Sequence, residues 1–133
     1  MNTVLLLLST RRALFPLVLV CASASMAQSL AAGFDVKVLG TIKLGPQLGL
    51  PTHALEMNYV PVAPGASLPV DPHTARPEII YVLQGQLTEV RNGVTSDHGT
   101  GDVLLLTRDI SHGLANRSNA PAVFLAAPVA KQQ

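Results

Sequence analysis

The chain has 133 residues, 48% of them apolar and 13% charged, with nine Lys and Arg against eight Asp and Glu. That length admits one domain at most. The near-neutral balance, with no Trp and only five Phe and Tyr, provides neither a basic patch nor a stacking platform for nucleic acid.

The chain opens on a leader. Residues 4–8 (VLLLL) and 14–21 (LFPLVLVC) are apolar, Arg11 and Arg12 lie between them, and ASASMAQS puts small residues at −3 and −1 of a cut after Ala27. A basic segment, a short apolar segment and a small-x-small site describe a secretory signal peptide. The apolar stretch after Arg12 is shorter than the roughly 20 residues that span a bilayer. TRRALF also fits the twin-arginine pattern, and Cys21 departs with the leader. The expected product is exported, periplasmic or secreted, with no membrane contact after cleavage. Removing 27 of the 133 residues leaves 106, with seven Lys and Arg, eight Asp and Glu and no cysteine. Disulfides and thiolate chemistry are thereby excluded from it.

After the leader no helix is expected. Residues 28–54 read as a lead-in to a domain over 55–133, and within them 40–54 (GTIKLGPQLGLPTHA) reads as irregular. Short runs rich in Val, Ile and Leu predict strands at 35–39, 55–62, 78–83, 86–91, 94–96, 102–107, 112–115 and 122–127. Turn signals separate them. Asn92-Gly93 is the strongest, because both residues tolerate positive φ in a two-residue hairpin. Strands recurring about every ten residues argue for an all-β sandwich or barrel.

The polar residues cluster in VDPHTARPEIIYVLQG, residues 70–85. Pro72 fixes its own φ and biases Asp71 away from helix, so Asp71 and His73 fall on one face of an extended segment. In the next strand Glu78, Ile80 and Val82 share a face, and Ile79, Tyr81 and Leu83 the other. A carboxylate heading an apolar face needs a cation or hydrogen bonds. His73 with two carboxylates is an oxygen and nitrogen donor set suited to a divalent metal. His112, with Asn116 four residues on, adds a fourth group.

These spacings resemble the two motifs of the cupin family. Gly65, Asp71-Pro72-His73, Glu78 and Gly85 match the first motif interval by interval. Gly101, Thr107-Arg108-Asp109, His112 and Asn116 match the second. The resemblance covers roughly residues 55 to 128 and looks closest to small exported single-domain members. It implies a double-stranded β-helix, a jelly-roll barrel with a metal near its axis, and by position the ligands Asp71, His73, Glu78 and His112. Two departures stand out: Asp71 replaces the motif's first histidine, and Thr107-Arg108-Asp109 replaces Pro-x-Gly. With Asp71 bound, the set is two histidines and two carboxylates, favouring Fe or Mn, with Zn also suitable, over Cu. Without it, His73, Glu78 and His112 are a two-histidine-one-carboxylate set.

Two function classes follow. One is an enzyme acting on a small organic molecule, a dioxygenase-type oxidoreductase or an isomerase, with Glu78 also taking a substrate proton. The other is a non-catalytic metal- or ligand-binding barrel for sensing, carrying or storage. A homodimer is expected in either case. His53, His98 and Arg76 are expected in solvent, Tyr81 outward, and Met57 and Tyr59 in the core.

Overall fold

The computed structural model describes residues 33–73 and 76–132, and the backbone alone for Asp71–His73. The expected leader over residues 1–27 lies outside the described residues. Among the described residues nine strands run in chain order: β1 Lys37–Lys43, β2 His53–Val62, β3 Asp71–His73, β4 Glu78–Gln84, β5 Gln86–Arg91, β6 Val94–Gly99, β7 Val103–Leu106, β8 Ile110–Ala115 and β9 Ala122–Lys131. They form a five-stranded sheet ordered β1-β2-β9-β4-β7 and a four-stranded sheet ordered β3-β8-β5-β6. Every pairing is antiparallel. The all-β jelly-roll expectation holds.

Alternation does most of the work. In β4, Ile80 and Val82 are 2% and 0% exposed while Ile79, Tyr81 and Leu83 are 52%, 40% and 42% exposed, the phase read from sequence. Val60, Val62, Leu87, Leu104, Leu106, Leu114 and Phe124 complete the apolar filling between the sheets. Such burial contributes about 1.5–3 kcal/mol for each large side chain.

Three local readings change. The strand expected over 35–39 is β1, which pairs along β2 and runs four residues into the stretch read as irregular, and a single helical turn, α1 Gly45–Leu48, follows it where no helix was expected. Gly45, Gly49 and Pro51 mask its second half, and all of β1 is exposed, so no apolar alternation marks where it ends. Met57 is 42% exposed and Tyr59 half-buried, because the inward residues of β2 are Ala54, Asn58, Val60 and Val62. His98 is not in solvent; its side chain is 20% exposed and lies against a buried carboxylate.

Turn chemistry is as expected where it could be read. Asn92 and Gly93 have φ of 48° and 82°, closing β5 onto β6. Gly85 has φ of 78°, and a Cβ there would stand 2.8 Å from the Pro121 carbonyl oxygen, so both conformation and space require glycine.

Candidate functional site

The two sheets close at one end and become polar at the other. At the closed end Asn116 is fully buried. Its Nδ2 donates to the carbonyls of Val62 (3.2 Å) and Ala120 (2.8 Å), and its Oδ1 accepts from the Ser118 N–H (3.0 Å) and hydroxyl (2.7 Å). The last residue of the second motif is therefore a structural clasp.

Four residues before that clasp, His112 turns inward and is 7% exposed. The turn that delivers it is intact despite its altered sequence. Asp109 adopts φ of 69° where the family pattern has glycine, and aspartate is among the few residues that accept this region. Register sets Asp71 opposite His112 and His73 opposite Ile110 across the β3–β8 ladder. Glu78 heads β4 on the facing sheet, half-buried, opposite Leu106 and Pro128. Register thus sets Asp71 beside His112 in one sheet, whereas Glu78 belongs to the other.

The sequence reading missed what lies behind His112. Glu89, on β5, is 2% exposed. Its Oε1 accepts a hydrogen bond from Arg91 Nε at 3.0 Å and forms an ion pair with Nη2 at 2.9 Å. Oε2 is 3.3 Å from His98 Nε2, which also meets the Ser96 hydroxyl at 3.0 Å. Oε1 is 3.4 Å from His112 Nδ1, at ion-pair distance though not aligned as a hydrogen bond. Arg91 Nη1 further donates to the Leu105 carbonyl (3.1 Å), tying β5 to β7 in the other sheet. A signal was available. Once Leu87 is taken as inward, alternation along β5 turns Glu89 and Arg91 inward too.

Glu89, His98 and His112 together do not form a second cation site. A cation on Oε1 would meet the guanidinium already seated there, and among the described residues no group of three or more His, Cys, Asp or Glu is arranged to hold a metal. Glu89 is placed to orient the His112 ring instead. Metal-binding imidazoles commonly have a carboxylate behind the non-ligating nitrogen. The donors that would complete a centre are those of β3 and β4. Oxygen and imidazole nitrogen from Asp71, His73, Glu78 and His112 suit a divalent ion, so the residues present fit one.

A family model described as the cupin domain matches residues 58–128. Germin-like protein 5-1 of Oryza sativa subsp. japonica is 29% identical over 106 residues, covering 73% of this chain and 48% of the rice protein. A probable germin-like protein of subfamily 2, member 5, from Arabidopsis thaliana is 34% identical over 84 residues, covering 59% of this chain and 39% of its own length. The chain thus spans less than half the length of these relatives. The solved structure of a cupin 2 conserved barrel domain protein from Salinispora arenicola superposes with a TM-score of 0.58 at 21% identity, covering 90% of this chain and 89% of that one.

Proposed function

The chain belongs to the cupin family, and on that premise we propose that it is an exported metal-binding barrel that acts on a small organic molecule. The observation that carries the proposal is the buried His112, with a carboxylate at its Nδ1 and Asp71 opposite it in register. His73, Glu78 and His112 would hold the metal, with Asp71 as the further ligand. The hard donor set favours Fe or Mn, with Zn also suitable. A bound metal supplies Lewis-acid polarisation of a substrate oxygen. The chain's own groups do the rest. Glu89 orients the His112 ring, the apolar side chains of Ile80 and Leu106 exclude water, and the Glu78 carboxylate takes a proton from a substrate hydroxyl. A dioxygenase-type oxidoreductase is the leading reaction class, and an isomerase the next.

The leader reading supports export, so the test uses the chain recovered from the exported fraction. Near one equivalent of Fe, Mn or Zn by plasma mass spectrometry, on a chain starting at Gln28, is expected. His112→Ala should lose at least nine-tenths of it. An exported chain that stays metal-free after reconstitution with each ion removes the enzyme reading. One observation favours the alternative of a non-catalytic binding barrel: Glu89, Arg91 and His98 are engaged with each other, leaving few polar groups to orient a substrate.

The partner we propose is a second copy, seated on the outer face of the five-stranded sheet. Register aligns Tyr59, Leu125, Tyr81 and Val103 in one row across four strands, and Ala127, Ile79 and Leu105 in the next. Val103 and Leu105 are 54% and 57% exposed. A contiguous apolar face of this kind, without a carboxylate among those residues, suits a self-complementary contact. Sedimentation should return twice the chain mass, and Leu105→Glu should shift it to the monomer. A monomeric parent at micromolar concentration would reject this partner.

A further inference from the structure

β5 and β8 run side by side through the pairs Thr88–Ala115, Glu89–Leu114, Val90–Gly113 and Arg91–His112, and β5 ends there, at the hairpin. In an antiparallel ladder alternate residues turn both backbone groups to the same neighbour. Ser111, next to His112, turns its N–H and its carbonyl toward Asn92, which is already in the turn with φ of 48°. Asn92 meets both groups. Its N–H donates to the Ser111 carbonyl (2.8 Å), and its side-chain Oδ1 accepts from the Ser111 N–H (3.1 Å). The side chain thus stands in for the backbone carbonyl that the turn has carried away, and the ladder gains one pair beyond its last strand residue.

This extra pair decides what kind of place His112 occupies. Without it, His112 would be the last residue matched between β8 and β5, at an end that frays. With it, paired residues stand on both sides of His112, Ser111 and Gly113. Across the other neighbour of β8, the residue opposite Ser111 is Pro72, which has no N–H to give. Asp109, two residues before Ser111, is in a left-handed turn with φ of 69°, so the strand gets no support from further back. On the β5 side, the hold on the peptide ahead of His112 comes from Asn92. The ring itself lies with Nδ1 3.4 Å from Glu89 Oε1, so main chain and imidazole are each set by a residue of β5 or its turn.

We infer that Asn92 is a positioning residue of the proposed metal centre: its carboxamide oxygen fixes the peptide before His112, and with it the direction in which the imidazole meets the ion. The inference rests on His112 holding a metal. Asn92 is exposed, so its hydrogen bonds contribute little to global stability and their consequence is local. The turn by itself does not require asparagine, because glycine takes a positive φ at least as readily. What glycine lacks is the acceptor. Aspartate has it, and tolerates the same backbone region.

Two variants of the full-length protein separate the turn from the hold: Asn92→Gly, which keeps the turn and removes the acceptor, and Asn92→Asp, which keeps both. Mn²⁺ is the probe, with the unbound ion counted by electron paramagnetic resonance. Asn92→Gly should bind Mn²⁺ about tenfold more weakly than the parent, the low end of the loss when a support behind a ligand is removed. Asn92→Asp should bind at least as tightly as the parent. Both should melt within about 8 °C of the parent, the scale of one hydrogen bond. NMR of the metal-free proteins supplies the second readout: the His112 ring signals should move in Asn92→Gly and return to the parent's positions in Asn92→Asp. Equal Mn²⁺ affinity in the parent and Asn92→Gly would overturn the proposal, because the turn would then be the whole role of the residue. So would an Asn92→Asp protein that binds as weakly as Asn92→Gly. A parent that binds no Mn²⁺ would defeat the metal proposal, and the ring signals would then judge Asn92 by themselves. A ring that moves in Asn92→Gly and returns in Asn92→Asp upholds Asn92 as the residue that sets His112, and a ring that stays in place overturns it.

Discussion

Arg91→Met is expected to destabilise the protein by about 3–5 kcal/mol, more than replacement of Glu89 itself. The asymmetry comes from exposure. The Arg91 side chain is 32% exposed and can return to water when its partner goes, whereas Glu89 is 2% exposed and cannot. Removing the guanidinium strands a buried carboxylate whose remaining neighbours, His98 and His112, stand at 3.3 and 3.4 Å. Removing the carboxylate as Glu89→Gln keeps the shape and one acceptor, so about 1–2 kcal/mol is the expected loss. Urea unfolding of the two single variants and the double variant checks the argument. Because the neutral amide introduced by Glu89→Gln needs no cation, the double variant should be more stable than Arg91→Met alone. Strictly additive losses would mean that the guanidinium does not hold the carboxylate in place.

At the closed end, Asn116→Asp is expected to cost about 3–4 kcal/mol while leaving the volume of the side chain unchanged. Asn116 donates to two carbonyl oxygens and accepts from two groups of Ser118, so its orientation is fixed. Aspartate keeps the acceptor side and replaces the donor with an oxygen facing the Val62 and Ala120 carbonyls. No cation is within reach to relieve it in any interaction described at this end. Thermal unfolding should show the loss, and metal content measured on the folded fraction should be unchanged. A variant as stable as the parent would show that the clasp contributes no net stability.

The sequence made the barrel legible because its strands alternate and its turns are chemically explicit. Ile80 and Val82 against Ile79 and Tyr81, and Asn92-Gly93 at the tightest hairpin, are signals of local origin. Motif spacing found His112 and Asn116, implied a ligand role for the first and gave none for the second. One turned out to be an inward imidazole backed by a carboxylate, the other a structural clasp. Glu89 had a local signal in the alternation of β5, but His98 was not recovered because its significance is non-local. Leu87 is opposite His98 in register while Glu89 is opposite Ser96, and only the folded sheet carries His98 to the Glu89 carboxylate. The second half of β1 was missed for a different reason: a strand exposed along its whole length has no period to show where it ends. The phase of β2 was ambiguous because an inward Asn58 interrupts its apolar face.

The position of β9 carries a consequence for how the chain acquires its structure. Although it follows every other described strand in the chain, β9 lies in the middle of its sheet, between β2 and β4. Until residues 122–131 have left the ribosome, β2 and β4 have no neighbour through which to join, and the larger sheet cannot assemble. Contacts this distant in sequence are slow to close. The smaller sheet, β3-β8-β5-β6, needs no residue of β9, so the two halves of the barrel become available at different times and the larger one is the last to close.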